Sequence, residues 1–155
     1  MTGQGAVWRP SRLQRPAVWM MESSGPNARK AMGCTLLLVL LIDAASHRAF
    51  IACEGNDRLI VIDLGTGAAL AQFPVTKDPD VLAFDAQRQK LYVAGESGEV
   101  SEFSVSGNSV SKSGESFLAH NAHVVAVQPS THEIYFPLMN VNGKPVLRIM
   151  QAGTE

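Results

Sequence analysis

The sequence repeats with a period of 42 to 43 residues, and this repeat restricts the possible folds more than any other feature. Three segments superpose: residues 42–52, 84–94 and 127–137. Their central aromatic residues, Phe50, Tyr92 and Tyr135, are 42 and 43 positions apart. A fixed period of roughly 20 to 50 residues is typical of proteins built from repeated structural units. The chain is therefore predicted to be a series of similar units whose size equals the period.

Each unit has the pattern of short strands joined by tight turns. An apolar strand ends at a polar residue, a turn leads to the strand with the aromatic residue, and a second turn leads to an alternating strand. The second turns, at residues 54–57, 96–99 and 140–143, contain Gly or Asn, which supply the positive φ of tight hairpins. Four strands in about 42 residues is the size of one β-propeller blade. The predicted fold class is all-β, a partial β-propeller of about two and a half to three four-stranded antiparallel blades.

The repeat divides the chain into an irregular N-terminal segment, residues 1–38, and blades at approximately residues 39–80, 81–123 and 124–155. The N-terminal segment contains both tryptophans and has no helix or strand period. We predict that this segment is unrelated to the repeat and that residues 1–30 are poorly ordered and removable.

The apolar run at residues 36–42 has two interpretations. It follows Arg29 and Lys30 and could be the apolar core of an export signal. It could instead be the innermost strand of the first blade, buried on both faces and therefore continuously apolar. The repeat favours the strand.

Several stretches resemble the YncE-like, YVTN-repeat family of β-propellers. Residues 92–95, with the letters YVAG, are similar to the tetrad that names the family, and residues 50–56 are similar to a common variant of it. The resemblance extends over about residues 39–151. Because members are usually closed rings of seven blades, it implies that the chain corresponds to the C-terminal part of a longer parent. It also implies a bacterial protein with WD40-like repeats, whose parent is periplasmic or secreted.

Charge and cysteine content exclude several classes of partner. The chain has 13 Lys and Arg against 14 Asp and Glu, so it carries no strong signal for nucleic-acid binding. Its apolar run is too short to cross a membrane, and no transmembrane span is predicted. Cys34 and Cys53 are 19 positions apart without metal-ligand spacing. They are expected to be inert thiols, with pairing under oxidising conditions as the alternative.

No catalytic residue, cofactor or metal is predicted. The sequence contains no nucleophile motif and no phosphate-binding loop. His47 and His132 occupy equivalent turns of different blades, and equivalent positions are expected to project around the ring without converging. A metal site that combines His120 and His123 with an acidic residue is left as an alternative. Three further acids are expected to accept turn hydrogen bonds at strand ends: Asp43, Asp63 and Asp85.

The positions just before each innermost strand are the candidates for ligand binding. In a propeller these positions surround the mouth of the central channel, and Asp80 and His123 are equivalent there, 43 residues apart. The candidate ligand-binding residues are Lys77, Asp78, Asp80, His120, Asn121 and His123. Their alternative roles are loop solvation and strand capping.

The function predicted from these observations is a noncatalytic binding or interaction module with an undefined ligand or protein partner. One alternative is a remnant of a propeller enzyme of the lactonase or dehydrogenase-subunit type, whose metal-binding carboxylates and histidines would come from several blades. Another is a truncated product with no independent function.

An incomplete ring should leave the outer faces of its first and last sheets bare, so self-association is expected. The residues expected on these faces are 40–42, Phe50 and Ile51 at one end and Ile134, Phe136 and Leu147 at the other.

Overall fold

The computed structural model describes residues 33–107 and 109–151, which form eleven β-strands in three antiparallel sheets. Apart from one turn of 3-10 helix at Glu54–Asn56, these described residues contain no helix. The all-β architecture confirms the predicted fold class. The expected disorder of residues 1–30 lies outside the described residues, and the division of the chain at residue 38 stays a prediction.

Within each sheet the strands follow one another in chain order. Blade 1 contains β1 (Leu37–Asp43), β2 (Arg48–Cys53), β3 (Arg58–Asp63) and β4 (Ala69–Pro74). Blade 2 contains β5 (Pro79–Asp85), β6 (Lys90–Gly95), β7 (Glu99–Ser106) and β8 (Ser109–Phe117). Blade 3 contains β9 (Ala126–Gln128), β10 (Glu133–Val141) and β11 (Lys144–Gln151).

The three aromatic residues of the repeat occupy the same place in their sheets. Phe50, Tyr92 and Tyr135 are each the third residue of the second strand of a blade. Their partners on the innermost strands are Leu41, Ala83 and Ala126. The common register confirms the repeat assignment.

Two hydrophobic cores lie on opposite faces of blade 2. Successive side chains of a strand point to opposite faces. On β6, Leu91 and Val93 face blade 1, whereas Tyr92 and Ala94 face blade 3, and all four are buried. Each core therefore depends on side chains from two neighbouring blades.

The outer faces of blades 1 and 3 differ from those expected. Phe50 is fully buried between blades 1 and 2, and Ile51 faces outward from blade 1 but is only 6% exposed. Ile134 and Phe136 pack against blade 2. The expectation is wrong for Phe50, Ile134 and Phe136, because β2 and β10 are apolar at successive positions and their patterns do not distinguish the two faces. Ile51 lies on the outer face as expected but is buried and not bare. Leu147, 57% exposed, is bare as expected.

The apolar run before Asp43 forms strand β1, which pairs only with β2 among the described residues. The innermost-strand interpretation is therefore confirmed. The expectation that both faces are buried is wrong: Leu41 packs toward blade 2, whereas Leu40 and Ile42 are 46% and 57% exposed. No described sheet covers that face.

The acids at strand ends accept turn hydrogen bonds, as expected. Asp43 Oδ1 accepts the Ala45 N–H at 3.2 Å, and Asp63 Oδ1 accepts the Thr66 N–H at 2.7 Å. These interactions close the turn after the strand.

Asp85 closes a turn in the same way and also joins two blades. Its Oδ1 accepts N–H groups of Gln87 and Arg88 at 3.1 and 3.0 Å. Its Oδ2 lies 2.8 Å from Nδ1 of His132 in blade 3. The Asp85 residue is 3% exposed. One buried carboxylate therefore satisfies donors from two sheets.

The hydrogen bonds to Asp85 also set its titration. Burial alone would raise the pKa of Asp85, but hydrogen bonds from the Arg88 N–H, the His132 side chain and the Gln87 N–H outweigh burial. They hold the pKa below its ordinary value of 3.8. Because the pKa is lower in the folded than in the unfolded chain, the carboxylate stabilises the fold above the unfolded pKa. This stabilisation is lost as the pH falls through the folded pKa.

A disulfide joins Cys34, just before β1, to Cys53 at the end of β2, with 5.5 Å between the Cα atoms. The expectation of two inert thiols is therefore wrong, and the alternative of pairing holds. The antiparallel pairing of β1 with β2 explains the bond, since Leu37 lies opposite Cys53. Within residues 33–107 and 109–151, no helix is long and apolar enough to cross a membrane.

We predict that Asp85→Asn lowers the free energy of unfolding at pH 7 by about 1.5 to 3 kcal/mol, because it weakens charged hydrogen bonds in a buried place. The variant should also lose less stability than the parent when the pH is lowered below the unfolded pKa of Asp85. Urea denaturation at neutral and acidic pH measures both effects.

Asp43→Asn is the matched control, since Asp43 holds the equivalent turn in blade 1 and accepts hydrogen bonds from Ala45 and Ser46 of that turn. It should cost less stability. Equal losses in the two variants would show that the contact between blades adds nothing.

Candidate ligand site at the channel mouth

Asp80 lies at the start of β5, where the strand contains a β-bulge. The pairing of β5 with β6 shifts between Pro79 and Val81, so Asp80 has no partner in the ladder. A bulge leaves its extra residue unpaired and changes the direction of that side chain. Strand β1 has the same shift between Leu37 and Val39. The bulge therefore recurs at the equivalent place in blades 1 and 2.

His123 precedes β9 at the position equivalent to Asp80, and its Nδ1 contacts Oδ2 of Asp80. Both loops contain a left-handed residue at the same place: Asp78 and Asn121, each two residues earlier, have φ of 52° and 60°. Equivalent positions of neighbouring blades thus converge here, so the expectation that they do not converge fails at this end of the sheets. The physical reason is that neighbouring innermost strands are in contact with each other.

Glu96, which the sequence interpretation missed, joins this pair. It follows β6, and its N–H donates to the Asp78 carbonyl at 2.9 Å. Asp80, Glu96 and His123 each offer one possible ligand atom, and these atoms lie within 4.8 Å of one another. The turn at residues 96–99 indicated only a hairpin. The pairing of Pro79 with Gly95 is the signal that places Glu96 beside Asp80.

Lys77 and Asp78 lie on the loop that leads into β5. Lys77 Nζ is 3.5 Å from Asp78 Oδ2, and the lysine side chain is 72% exposed. The Asp78 N–H donates to Asp57 Oδ1 of blade 1 at 2.9 Å. Asp78 therefore connects the loop to blade 1 through its own N–H and to Glu96 through its carbonyl.

His120 and Asn121 do not join the cluster. The His120 ring packs edge-on against Phe117, with 5.3 Å between ring centroids. The Asn121 amide lies 3.9 Å from the Met139 sulfur. Of the six candidate residues, the structure brings Asp80 and His123 into direct contact and places Asp78 next to them.

Gly95 allows the loop before β5 to approach the end of β6. A Cβ atom on Gly95 would lie 2.5 Å from the Lys77 carbonyl oxygen and 2.8 Å from the Thr76 Cγ2. Contacts this short require the backbone to move. The absence of a side chain at Gly95 therefore keeps Asp78, Asp80 and Glu96 together.

The cluster has more negative than positive charge. Asp80 and Glu96 supply two carboxylates beside His123, while the Asp78 carboxylate on the neighbouring loop pairs with the Lys77 ammonium group. Within the described part of the chain, the Glu96 carboxylate accepts no hydrogen bond, and Asp80 has His123 as its one side-chain partner. The arrangement can bind a cationic group but repels an anion.

A cavity elsewhere in the protein is less suited to a ligand. It lies between blades 2 and 3 beside Tyr92, Glu102 and Ile134 and has a volume of about 180 Å³. Ligand pockets usually measure about 300 to 1,000 Å³. Burial, with a smaller effect from the Glu102 carboxylate, raises the pKa of Tyr92 to about 12, so its hydroxyl stays neutral at physiological pH. The small size of this cavity favours the cluster of Asp80, Glu96 and His123 over it as the candidate site.

Comparison with known proteins identifies the architecture. No protein-family model and no curated protein sequence matches the chain. A Bacteroides fragilis protein provisionally assigned as a 6-phosphogluconolactonase superposes with a TM-score of 0.65 at 12% identity, over 76% of this chain and 35% of that chain. The β-propeller domain of Myceliophteria thermophila Cps50 (Swd1) superposes with a TM-score of 0.55 at 12% identity, over 77% and 44% of the two chains.

The chain is a partial β-propeller. A Bacteroides uniformis protein with the same provisional assignment also superposes, with a TM-score of 0.56 at 15% identity, over 77% of this chain and 42% of that chain. The chain thus spans less than half the length of each of these structures. At such low identity the likeness shows the fold alone.

We predict that Gly95→Ala lowers the free energy of unfolding by about 1 to 3 kcal/mol, because the added methyl group meets backbone that must shift. Urea denaturation measures the change. Gly114→Ala is the control, since nothing lies within 4 Å of its added Cβ. The control should be neutral or more stable by up to about 1 kcal/mol. Equal stability of both variants would contradict the close approach at Gly95.

Proposed function

We propose that this chain is a noncatalytic binding module that takes a positively charged ligand at the channel mouth. The observation that carries the proposal is the cluster of Asp80, Glu96 and His123 at the end of the innermost strands, in which the Glu96 carboxylate has no described hydrogen-bond partner. Side chains here are partly exposed: Asp80 is 26% and His123 is 30% accessible. A ligand can therefore reach the cluster without any rearrangement of the blades.

The YncE-like resemblance agrees with this role, and it suggests a bacterial origin and an exported parent protein. The disulfide between Cys34 and Cys53 is consistent with export, because disulfides persist in oxidising compartments such as the periplasm. Identification of the YncE-like family remains part of the proposal.

Lactone hydrolysis is the rival function. Its support is the fold shared with the two proteins provisionally assigned as 6-phosphogluconolactonases. The charge of the mouth argues against it, because a phosphorylated lactone is anionic and would meet Asp80 and Glu96. Lys77, the cation nearest in sequence, already pairs with Asp78.

Binding of a fluorescent hexalysine peptide, followed by anisotropy at low salt, tests the charge of the site. We expect the parent to bind this peptide and not to bind hexaglutamate. The double variant Asp80→Asn with Glu96→Gln should bind hexalysine roughly tenfold more weakly. Added salt should weaken parent binding, as expected for exposed charges.

Glu54→Gln is the matched control, since Glu54 begins the equivalent turn of blade 1. It should bind hexalysine as the parent does. Equal binding by the double variant, or measurable hydrolysis of 6-phosphogluconolactone by the parent, would contradict the proposed function.

Self-association is the second part of the proposal, and a second copy of the chain is the proposed partner. Tyr92 is 3% exposed because blade 3 covers it, whereas the equivalent Tyr135 is only partly buried. On the same outer face of blade 3, Met139, Leu147 and Ile149 are 71%, 57% and 52% exposed. A further blade would bury these residues, and another copy can supply one.

We expect the parent to sediment as a dimer or larger assembly at micromolar concentration, since contiguous apolar surface of this kind drives association. The double variant Leu147→Glu with Ile149→Glu should sediment as the 16.6 kDa monomer. Ser111→Glu adds a charge on an exposed strand of blade 2 and should leave the assembly unchanged. A parent chain that stays monomeric at all concentrations, and that binds no peptide, would favour a truncated product with no independent function.

A further inference from the structure

We infer that Asp80, Glu96 and His123 form a binding site for a divalent transition-metal ion, with Zn²⁺ as the best-suited probe. This inference rests on the proposed function, because it names the cation that the acidic mouth takes. It revises the prediction, made from the sequence, that the chain binds no metal.

The chemistry of the three side chains suits such an ion. Zn²⁺ binds imidazole nitrogen and carboxylate oxygen at about 2.0 to 2.2 Å, usually with four ligands in a tetrahedron. Ligand atoms of a tetrahedral site are then roughly 3.3 Å apart. The atoms of Asp80, Glu96 and His123 lie within 4.8 Å of one another. The exposed Glu96 side chain can rotate toward the other two ligand atoms, and three protein ligands leave a fourth position for water or another donor.

Backbone contacts fix the positions of two of the three ligand residues, Asp80 and Glu96. The bulge at β5 fixes Asp80, and the hydrogen bond from the Glu96 N–H to the Asp78 carbonyl fixes the backbone of Glu96. His123 already contacts Asp80. A metal ion bound to both would take the place of the proton that joins the imidazole to the carboxylate.

A second pair of histidine and aspartate shows what a purely structural contact looks like in this protein. Asp85, which contacts His132, is buried, and its other oxygen accepts two backbone N–H groups. Asp80 differs, because among the described residues its side chain has His123 as its one hydrogen-bond partner and is 26% accessible. No described third acid stands within ligand distance of the Asp85–His132 pair. The cluster at the mouth therefore has free ligand capacity, and the structural pair has none.

Repetition of the sequence shows that the cluster is specific to one junction. Glu54 is the counterpart of Glu96 in blade 1, but the position equivalent to Asp80 in that blade is Leu38. The three ligand types thus come together between blades 2 and 3 and not between blades 1 and 2, although the backbone repeats. Glu54 provides a control with the same turn and the same side chain.

Isothermal titration of the chelator-treated full chain with ZnCl₂ tests the inference, with MgCl₂ and CaCl₂ as comparison ions. We expect one Zn²⁺ per chain and much weaker heats for the two hard cations, because imidazole is a poor ligand for them. Asp80→Asn, Glu96→Gln and His123→Gln should each weaken Zn²⁺ binding by roughly tenfold or more. Glu54→Gln and His120→Gln should bind like the parent.

Glu96→Gln is the decisive variant, since Glu96 is exposed and its carboxylate has no described partner whose loss could unfold the chain. Circular dichroism should show all variants folded. Absence of Zn²⁺ binding to the parent overturns the inference. Zn²⁺ binding that persists in both Glu96→Gln and His123→Gln also overturns it, and so does loss of Zn²⁺ binding in His120→Gln. Hexalysine binding without Zn²⁺ binding would overturn the metal site and leave the proposed function standing, whereas loss of both would overturn both. If both bind, Zn²⁺ should displace the peptide from the parent.

Discussion

Packing of one sheet against the next is the constraint on which the whole structure depends. Each second strand is apolar on both faces, and the two cores beside blade 2 are each completed by side chains of a neighbouring blade. In strand β6, Leu91 and Val93 enter the core shared with blade 1, and Tyr92 and Ala94 enter the core shared with blade 3. The contacts at the channel mouth follow from the same packing, since Asp80 and His123 meet only because blades 2 and 3 are pressed together.

The sequence was sufficient to predict the strands and their equivalence, because the period and the turn residues are local signals. It was not sufficient to predict which face of blade 3 is covered. Ile134, Tyr135 and Phe136 are all large and apolar or aromatic, and such a run gives no alternation from which to choose a face. The pairing of Cys34 with Cys53 was equally hidden, because it depends on the hairpin that β1 and β2 form and not on cysteine spacing.

The sequence predicts those residues of the candidate site that occupy equivalent positions of the repeat. The spacing of 43 residues identified Asp80 and His123 as equivalent. The contact between them, and the presence of Glu96, depend on how two loops meet in space. Gly95 sets the part of this geometry that lies within blade 2, since it lets the Lys77 carbonyl approach where any Cβ would intrude. The sequence shows the glycine but not the backbone that lies against it.

The two cores of blade 2 have separate evolutionary consequences. They share a sheet but no side chain, so a substitution in one core can be compensated within that core while the other is conserved. Selection can therefore act on the junction between blades 1 and 2 independently of the junction between blades 2 and 3. A repeat gained or lost between two others therefore has to match only its two neighbours, because each core is made by adjacent blades.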